Sequence, residues 1–154
     1  MEVKGEVEII QRDLRDLVIK RSLVKNLHVL AGRRALRDLI GYPQLGGPGF
    51  TPDYIALGTD NTAPDDSQNA LVAEFFRKQI TRKVPGESGS DTEVLYQLFV
   101  ATTEANGSGS VTYKESGLMQ SASGGTMWAR VKFTDFVKSA ATSLTVNWKL
   151  IIKP

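Results

Sequence analysis

Apolar and polar positions alternate along most of this chain, and the alternation predicts strands. Val3, Gly5, Val7 and Ile9 share one parity and Lys4, Glu6, Glu8 and Ile10 the other, the pattern of a half-buried strand. After a polar turn over residues 12–16 the run LVIKRSLVKN resumes extended character, so residues 1–25 read as an N-terminal hairpin or arm usable in assembly. Further strands are predicted at QITRKV, at VLYQLFVATTEA with Val94, Tyr96, Leu98 and Val100 on one parity, and at VTYKESGLM. The turns GESGSD and ANGSGS separate them. At the C-terminal end MWARVKFTDF and SLTVNWKLII flank the polar VKSAAT and read as a second hairpin. Within it Leu144, Val146, Trp148, Leu150 and Ile152 face one way and Thr145, Asn147 and Lys149 the other.

Two segments depart from this period. From Asn26, placed to cap, Leu27, Leu30, Ala31, Ala35 and Leu39 share one helical face, and Gly41 stops the helix. YPQLGGPGFTPD is then a loop, because its three prolines remove backbone donors and its glycines permit turns. YIALG follows as a short buried strand ending at Gly58. Asp60 and Asn61 fall in the next turn, and Asp65, Asp66 and Ser67 stand where they would cap a second helix over residues 65–78, packing Leu71 and Phe75 onto a sheet. Strands outnumber helices. The fold class that follows is mainly β: one antiparallel β-sandwich domain over residues 1–154 with one or two short α-helices.

Composition narrows the chemistry. The chain has no cysteine, so disulfides, thiol nucleophiles and cysteine-based zinc sites are excluded. Nineteen basic and 17 acidic residues leave a formal charge of +2, which supplies no broad field for nucleic acid or a membrane surface. The opening MEVKGEVEII lacks the basic and apolar regions of an export signal, and no apolar run approaches spanning length; the expectation is a soluble protein.

Candidate sites are few. The only histidine, His28, falls inside the first predicted helix with no nucleophile motif elsewhere to serve it. Asp60, Asn61, Asp65 and Asp66 offer oxygen ligands for calcium, but they lack the loop spacing and the distal glutamate, and capping uses the same residues. Gly46 to Gly49 match neither a Walker loop nor a dinucleotide fingerprint, so no cofactor is implied. Arg33, Arg34 and Arg37 form a basic cluster without interleaved aromatics, which reads as a solvated face or a salt-bridged protein interface rather than a nucleic-acid site. Trp128, Trp148, Tyr96, Tyr113 and Phe133 suit a core or subunit interface; the other reading is a carbohydrate-binding sandwich whose rings stack on host-surface glycans. Asn106-Gly107-Ser108 fits a glycosylation sequon but is read as a hairpin turn.

Taken in order, the segments VKGEVEII, NLHVLAGRRALRDLIG, YIALGTDNTAPDDSQNAL with EFFRK, VATTEANGSG, YKESGLM, GGTMWARVKF and TSLTVNWKLII resemble a family of small structural proteins of tailed bacteriophages and prophages. The resemblance runs from about Gly5 to Ile152. It implies a non-enzymatic virion component assembled in the host bacterial cytoplasm, most simply in the tail apparatus (baseplate, collar or fibre attachment), with capsid decoration as the alternative. Its partners would be copies of itself and neighbouring virion proteins, each contact burying roughly 800 Å² per side. The interface candidates are the hairpin, Arg33 and Arg37, and the loop residues Tyr42, Pro43, Leu45, Pro48 and Phe50. Asp60 stands where the family often has glycine and Ser116 where alanine is usual, which implies a positive φ at Asp60 or Asn61.

Overall fold

The computed structural model describes residues 2–41, 51–86 and 92–153. The elements in chain order are β1 (Glu2–Asp13), β2 (Val18–Lys25), α1 (Leu30–Gly41), β3 (Tyr54–Gly58), β4 (Glu74–Gln79), β5 (Arg82–Pro85), β6 (Glu93–Val100), β7 (Ser110–Met119), β8 (Met127–Ser139) and β9 (Thr142–Lys153). They form two antiparallel sheets, β2-β1-β9-β6-β5 and β4-β3-β7-β8. This is a β-sandwich carrying one helix among the described residues.

The period-2 pattern places the core. Val7, Ile9, Leu98, Val100, Leu144, Val146 and Trp148 point inward from the first sheet, and Ile55, Leu57, Tyr113, Leu118, Val131 and Phe136 meet them from the second. β1 and β2 form the expected hairpin, with Asp16 at its tip in the left-handed region (φ 63°). Burial of the Tyr113 phenol pushes its pKa up to about 12, and its hydroxyl donates to the Ala105 carbonyl at 2.9 Å.

Three expectations are corrected. Residues 65–78 form no helix: EFFRKQ is β4, paired along β3 with Leu57 opposite Phe76. A buried strand such as YIALG needs hydrogen-bonding partners on both edges, and β7 supplies only one of them. Phe75 consequently stays half exposed, while Leu71 is buried. Secondly, β8 and β9 are not a hairpin. The turn at Ala140 and Ala141 carries the chain from the edge of one sheet into the centre of the other, where β9 lies between β1 and β6. The Gln11 amide ties this corner to β1, donating to the Val137 carbonyl at 2.6 Å and to Thr142 Oγ1 at 3.2 Å. Thirdly, Asn26 caps no helix; its backbone N–H donates to the Gly5 carbonyl at 3.1 Å, and α1 begins four residues later.

The helix is seated by one close approach. A Cβ on Gly32 would fall 2.0 Å from the Trp128 carbonyl oxygen, so only glycine lets α1 lie against the β8 backbone. Gly32→Ala gains about 1 kcal/mol of helix propensity, but the clash with fixed backbone is expected to outweigh it and leave the protein less stable by about 1–3 kcal/mol. Urea unfolding measures the balance. An unchanged or raised midpoint would mean that α1 lifts from β8 without cost.

Candidate functional site

The outer face of the second sheet is covered by the segment that joins β3 to β4. Leu71 packs there with Ala56, Met119, Met127 and Val29. Beneath the same segment lies an ion pair removed from solvent: Arg130 on β8 and Glu115 on β7, both side chains fully buried. Arg130 Nε and Nη2 lie 2.9 Å and 2.7 Å from Glu115 Oε2. The remaining donors hold the covering loop, Nη1 to Gln68 Oε1 and Nη2 to the Thr62 carbonyl, each at 2.9 Å. Glu115 holds its far end, accepting from the backbone N–H of Ala73 at 2.9 Å and of Val72 at 3.3 Å. Gly58 makes room, since a Cβ there would stand 2.4 Å from Glu115 Oε1. Removing two charges from water costs of order several kcal/mol per ion, and such a pair persists where hydrogen bonds satisfy its remaining atoms, as here.

Each predicted loop residue has a place in this arrangement. Asp60 Oδ1 accepts from the Thr62 N–H at 2.6 Å, closing a local turn. Neither Asp60 nor Asn61 takes a positive φ, which corrects the expectation drawn from the missing glycine; among the described non-glycine residues only Asp16 and Ala105 do. Asn61 is exposed on the rim of a hollow it shares with Pro64, Lys132 and Phe133. Asp65 Oδ1 accepts from Ser67 N at 2.9 Å and from its hydroxyl at 2.5 Å. Asp66 does cap a helix, but the helix is α1: its carbonyl accepts from Leu30 N at 3.0 Å, and its carboxylate grips Arg33 through two 2.7 Å hydrogen bonds. Hydrogen bonds from Arg33, Ser67 and Thr62 hold the Asp66, Asp65 and Asp60 carboxyls below the usual carboxylate range. Arg37 pairs with its neighbour Asp38 at 2.5 Å. Tyr42, Pro43, Leu45, Pro48 and Phe50 lie outside the described residues.

Other candidates resolve into packing. Trp128, Trp148, Tyr113 and Phe133 are buried, so none presents a ring face on which a sugar could stack. The sequon residue Asn106 is engaged at both ends of its amide, donating to the Thr102 carbonyl and accepting from the buried Lys138 ammonium, each at 2.7 Å. No group of three or more metal-ligating side chains occurs among the described residues. Nor is any helix among them long and apolar enough to cross a membrane.

No protein-family model matches this chain, and neither a curated protein nor a solved structure is significantly similar to it. The meaning of the site therefore rests on its own geometry. Gly32, Gly58, Glu115 and Arg130 come from four separate segments: the helix, YIALGTDN, YKESGLM and MWARVKF. All four meet around one sheet face. Leu27, just before the helix, completes the cluster by exchanging two 2.9 Å backbone hydrogen bonds with Arg130. Sequence reasoning did not pair Glu115 with Arg130. The available signal was one-sided: Glu115 shares the apolar parity of Val111, Tyr113 and Met119, whereas Arg130 shares the parity of Lys132, where alternation does not call for burial.

The pair is expected to matter far more than the surface contact above it. Glu115→Ala should cost about 3–5 kcal/mol by stranding a buried guanidinium, whereas Asp66→Ala, which removes a solvent-screened pair, should cost far less. Limited proteolysis of Glu115→Gln, a milder variant, should show cutting within residues 59–73 that the parent resists. Equal destabilisation by Glu115→Ala and Asp66→Ala would refute this ordering.

His28 sits ahead of α1 rather than within it, and desolvation, aided by the charge of Arg33, lowers its pKa. The unfolded chain thus binds the proton more readily. Stability should fall as pH drops through the unfolded value of ~6.5 and level off below the folded value. The hydrogen-bonded carboxylates Asp60, Asp65 and Asp66, whose pKa values are lowered, withdraw their contribution only below about pH 4. With a single histidine in the chain, thermal melts of His28→Gln should lose the upper of these two steps and keep the lower. Retention of both would assign the upper step to another group.

Proposed function

We propose that this chain is a non-enzymatic structural component of a tailed bacteriophage virion, placed in the tail apparatus and acting through contacts with copies of itself and with neighbouring virion proteins. One observation carries the reading. The short segments that resemble the phage family converge on a single joint, and that joint is built to hold a shape: its charged groups are buried, paired and committed to backbone. Neither Arg130 nor Glu115 has an exposed atom with which to meet a substrate. A second observation favours assembly. Leu14, Leu17, Val18, Ile19 and Leu23 are exposed together on the N-terminal hairpin, an apolar surface of the kind that proteins cover with a partner.

Antibody against this chain, applied to purified particles of the phage that encodes it and imaged by electron microscopy, tests the proposal. Label confined to the tail or neck is the expected outcome. Label spread regularly over the head would replace the tail assignment with capsid decoration, and unlabelled particles would overturn the virion reading.

A further inference from the structure

We infer that β2 is a self-pairing edge, through which two copies of this chain join their first sheets about a two-fold axis at Arg21. The inference rests on the assembly reading above and names the contact.

β2 ends the first sheet, and among the described residues no strand lies on its outer side. The opposite end is β5, four residues closing on Pro85, so the sheet extends most readily at β2. Edge strands of monomeric proteins are commonly guarded by lysine or arginine. Here the central two such residues are turned back into their own subunit. The Lys20 ammonium donates to the Asp135 carbonyl and lies 4.6 Å from the centre of the Phe136 ring. Arg21 is held by Glu8 at 2.6 Å, and Glu8 is held in turn by Asn147 at 3.1 Å. Ile19 and Leu23, flanking Arg21 on the same face, are left 54% and 66% exposed.

The occupant follows from register. In a continuous sheet, residues directly opposite share a face. Val24 packs on the core and Lys20 over Phe136, so Lys20, Ser22 and Val24 face inward and Ile19, Arg21 and Leu23 outward; beyond the register shift at Ile19, Val18 lies opposite Arg12 and is exposed. Antiparallel pairing of β2 with itself must therefore be centred on a residue. Centring on Lys20 would set two lysines side by side, and centring on Ser22 would set Ile19 against Lys25 and Arg21 against Leu23. Centring on Arg21 sets Ile19 against Leu23 and Leu23 against Ile19 outside, with Lys20 against Ser22 inside. The two arginines then meet with their own Glu8 carboxylates beside them, giving a row of alternating sign, Glu8-Arg21-Arg21-Glu8, whose outer members offset the like charge at the axis. Strands of this length bury less than the roughly 800 Å² per partner of a stable complex, so the isolated dimer should dissociate at micromolar concentrations and persist where copies are held together in an assembly.

The chain's lack of cysteine makes the register directly readable in the full-length protein. Across an antiparallel pair Cα atoms stand ~4.5–5.5 Å apart, within the span of a disulfide. Under mild oxidation Arg21→Cys should form a covalent dimer, and Leu23→Cys alone should not, because its symmetry mate lies roughly 14 Å along the strand. A mixture of Ile19→Cys and Leu23→Cys should give the mixed dimer; it keeps the Arg21–Glu8 pair and so serves even where Arg21→Cys folds poorly. Cross-linking of Leu23→Cys as fast as Arg21→Cys, or the absence of both Arg21→Cys and mixed dimers, overturns the inference. Labelled particles together with that negative result would remove the pairing and leave the virion proposal standing; unlabelled particles with the expected cysteine pattern would do the reverse.

Discussion

A buried guanidinium has to be satisfied on every side, and in this fold that requirement organises everything outside the sandwich core. Arg130 projects from the outer face of the second sheet, on the parity it shares with Lys132, yet it lies fully buried beneath the covering segment. Glu115 neutralises it, but the donors that Glu115 leaves over must find acceptors without water. They find Thr62 and Gln68, and so the segment between β3 and β4 is drawn across the sheet. Once drawn there, it brings Leu71 down onto Ala56 and Met119 and carries Asp66 to the start of α1. The helix takes its first hydrogen-bond acceptor from a loop more than thirty residues away in sequence because that loop is pinned from below.

An apolar pair of similar volume would remove the desolvation cost, and on stability alone the exchange is often neutral or better. What apolar side chains lack is direction. A leucine at position 130 would cover its neighbours equally well with the loop in several positions, whereas the guanidinium accepts only a geometry in which its carbonyl and amide partners stand near 2.9 Å. The glycines sharpen the same selection. With no Cβ at Gly58 the carboxylate can reach the Ala73 amide, and with none at Gly32 the helix can rest on β8 beside it. The joint has one arrangement, which suits a chain whose surface must match another surface repeatedly.

Much of the sandwich was legible in the sequence because a period of two speaks directly to which side of a strand is buried. β1, β6 and β9 follow their alternation closely, and YIALG, apolar on both faces, is indeed covered on both faces. Connectivity was less legible. The turn at Ala140 and Ala141 looks the same whether the strands it joins pair with each other or part into different sheets, since that choice is made by partners far away in sequence. The helix expected over residues 65–78 failed for a related reason. Of the residues expected to cap it, Asp65 closes a local turn with Ser67 and only Asp66 meets a helix, α1, while the spacing of Leu71, Phe75 and Phe76, helical when read alone, lost to the unpaired edge of β3. The Glu115–Arg130 pair is legible only in part: a charge at a buried position announces that a partner exists without naming it.

The contrast between the two ends of the molecule bears on assembly. Around Arg130 the charges are enclosed and the backbone is satisfied; at β2 the backbone edge is open and the charges have been drawn away from it toward Glu8 and Asp135. Stability alone gives no reason for the second arrangement, because an arginine and a lysine left pointing along an edge would protect it from other chains at little energetic cost. With Lys20 laid over Phe136 and Arg21 drawn back onto Glu8, Ile19 and Leu23 are left exposed and the barrier to strand addition is lowered. A rigid body with one unguarded edge is a sensible construction only where something is meant to meet that edge, and in a chain without disulfides or metal-ligand clusters among its described residues, hydrogen bonding between strands is a direct way to make that contact specific.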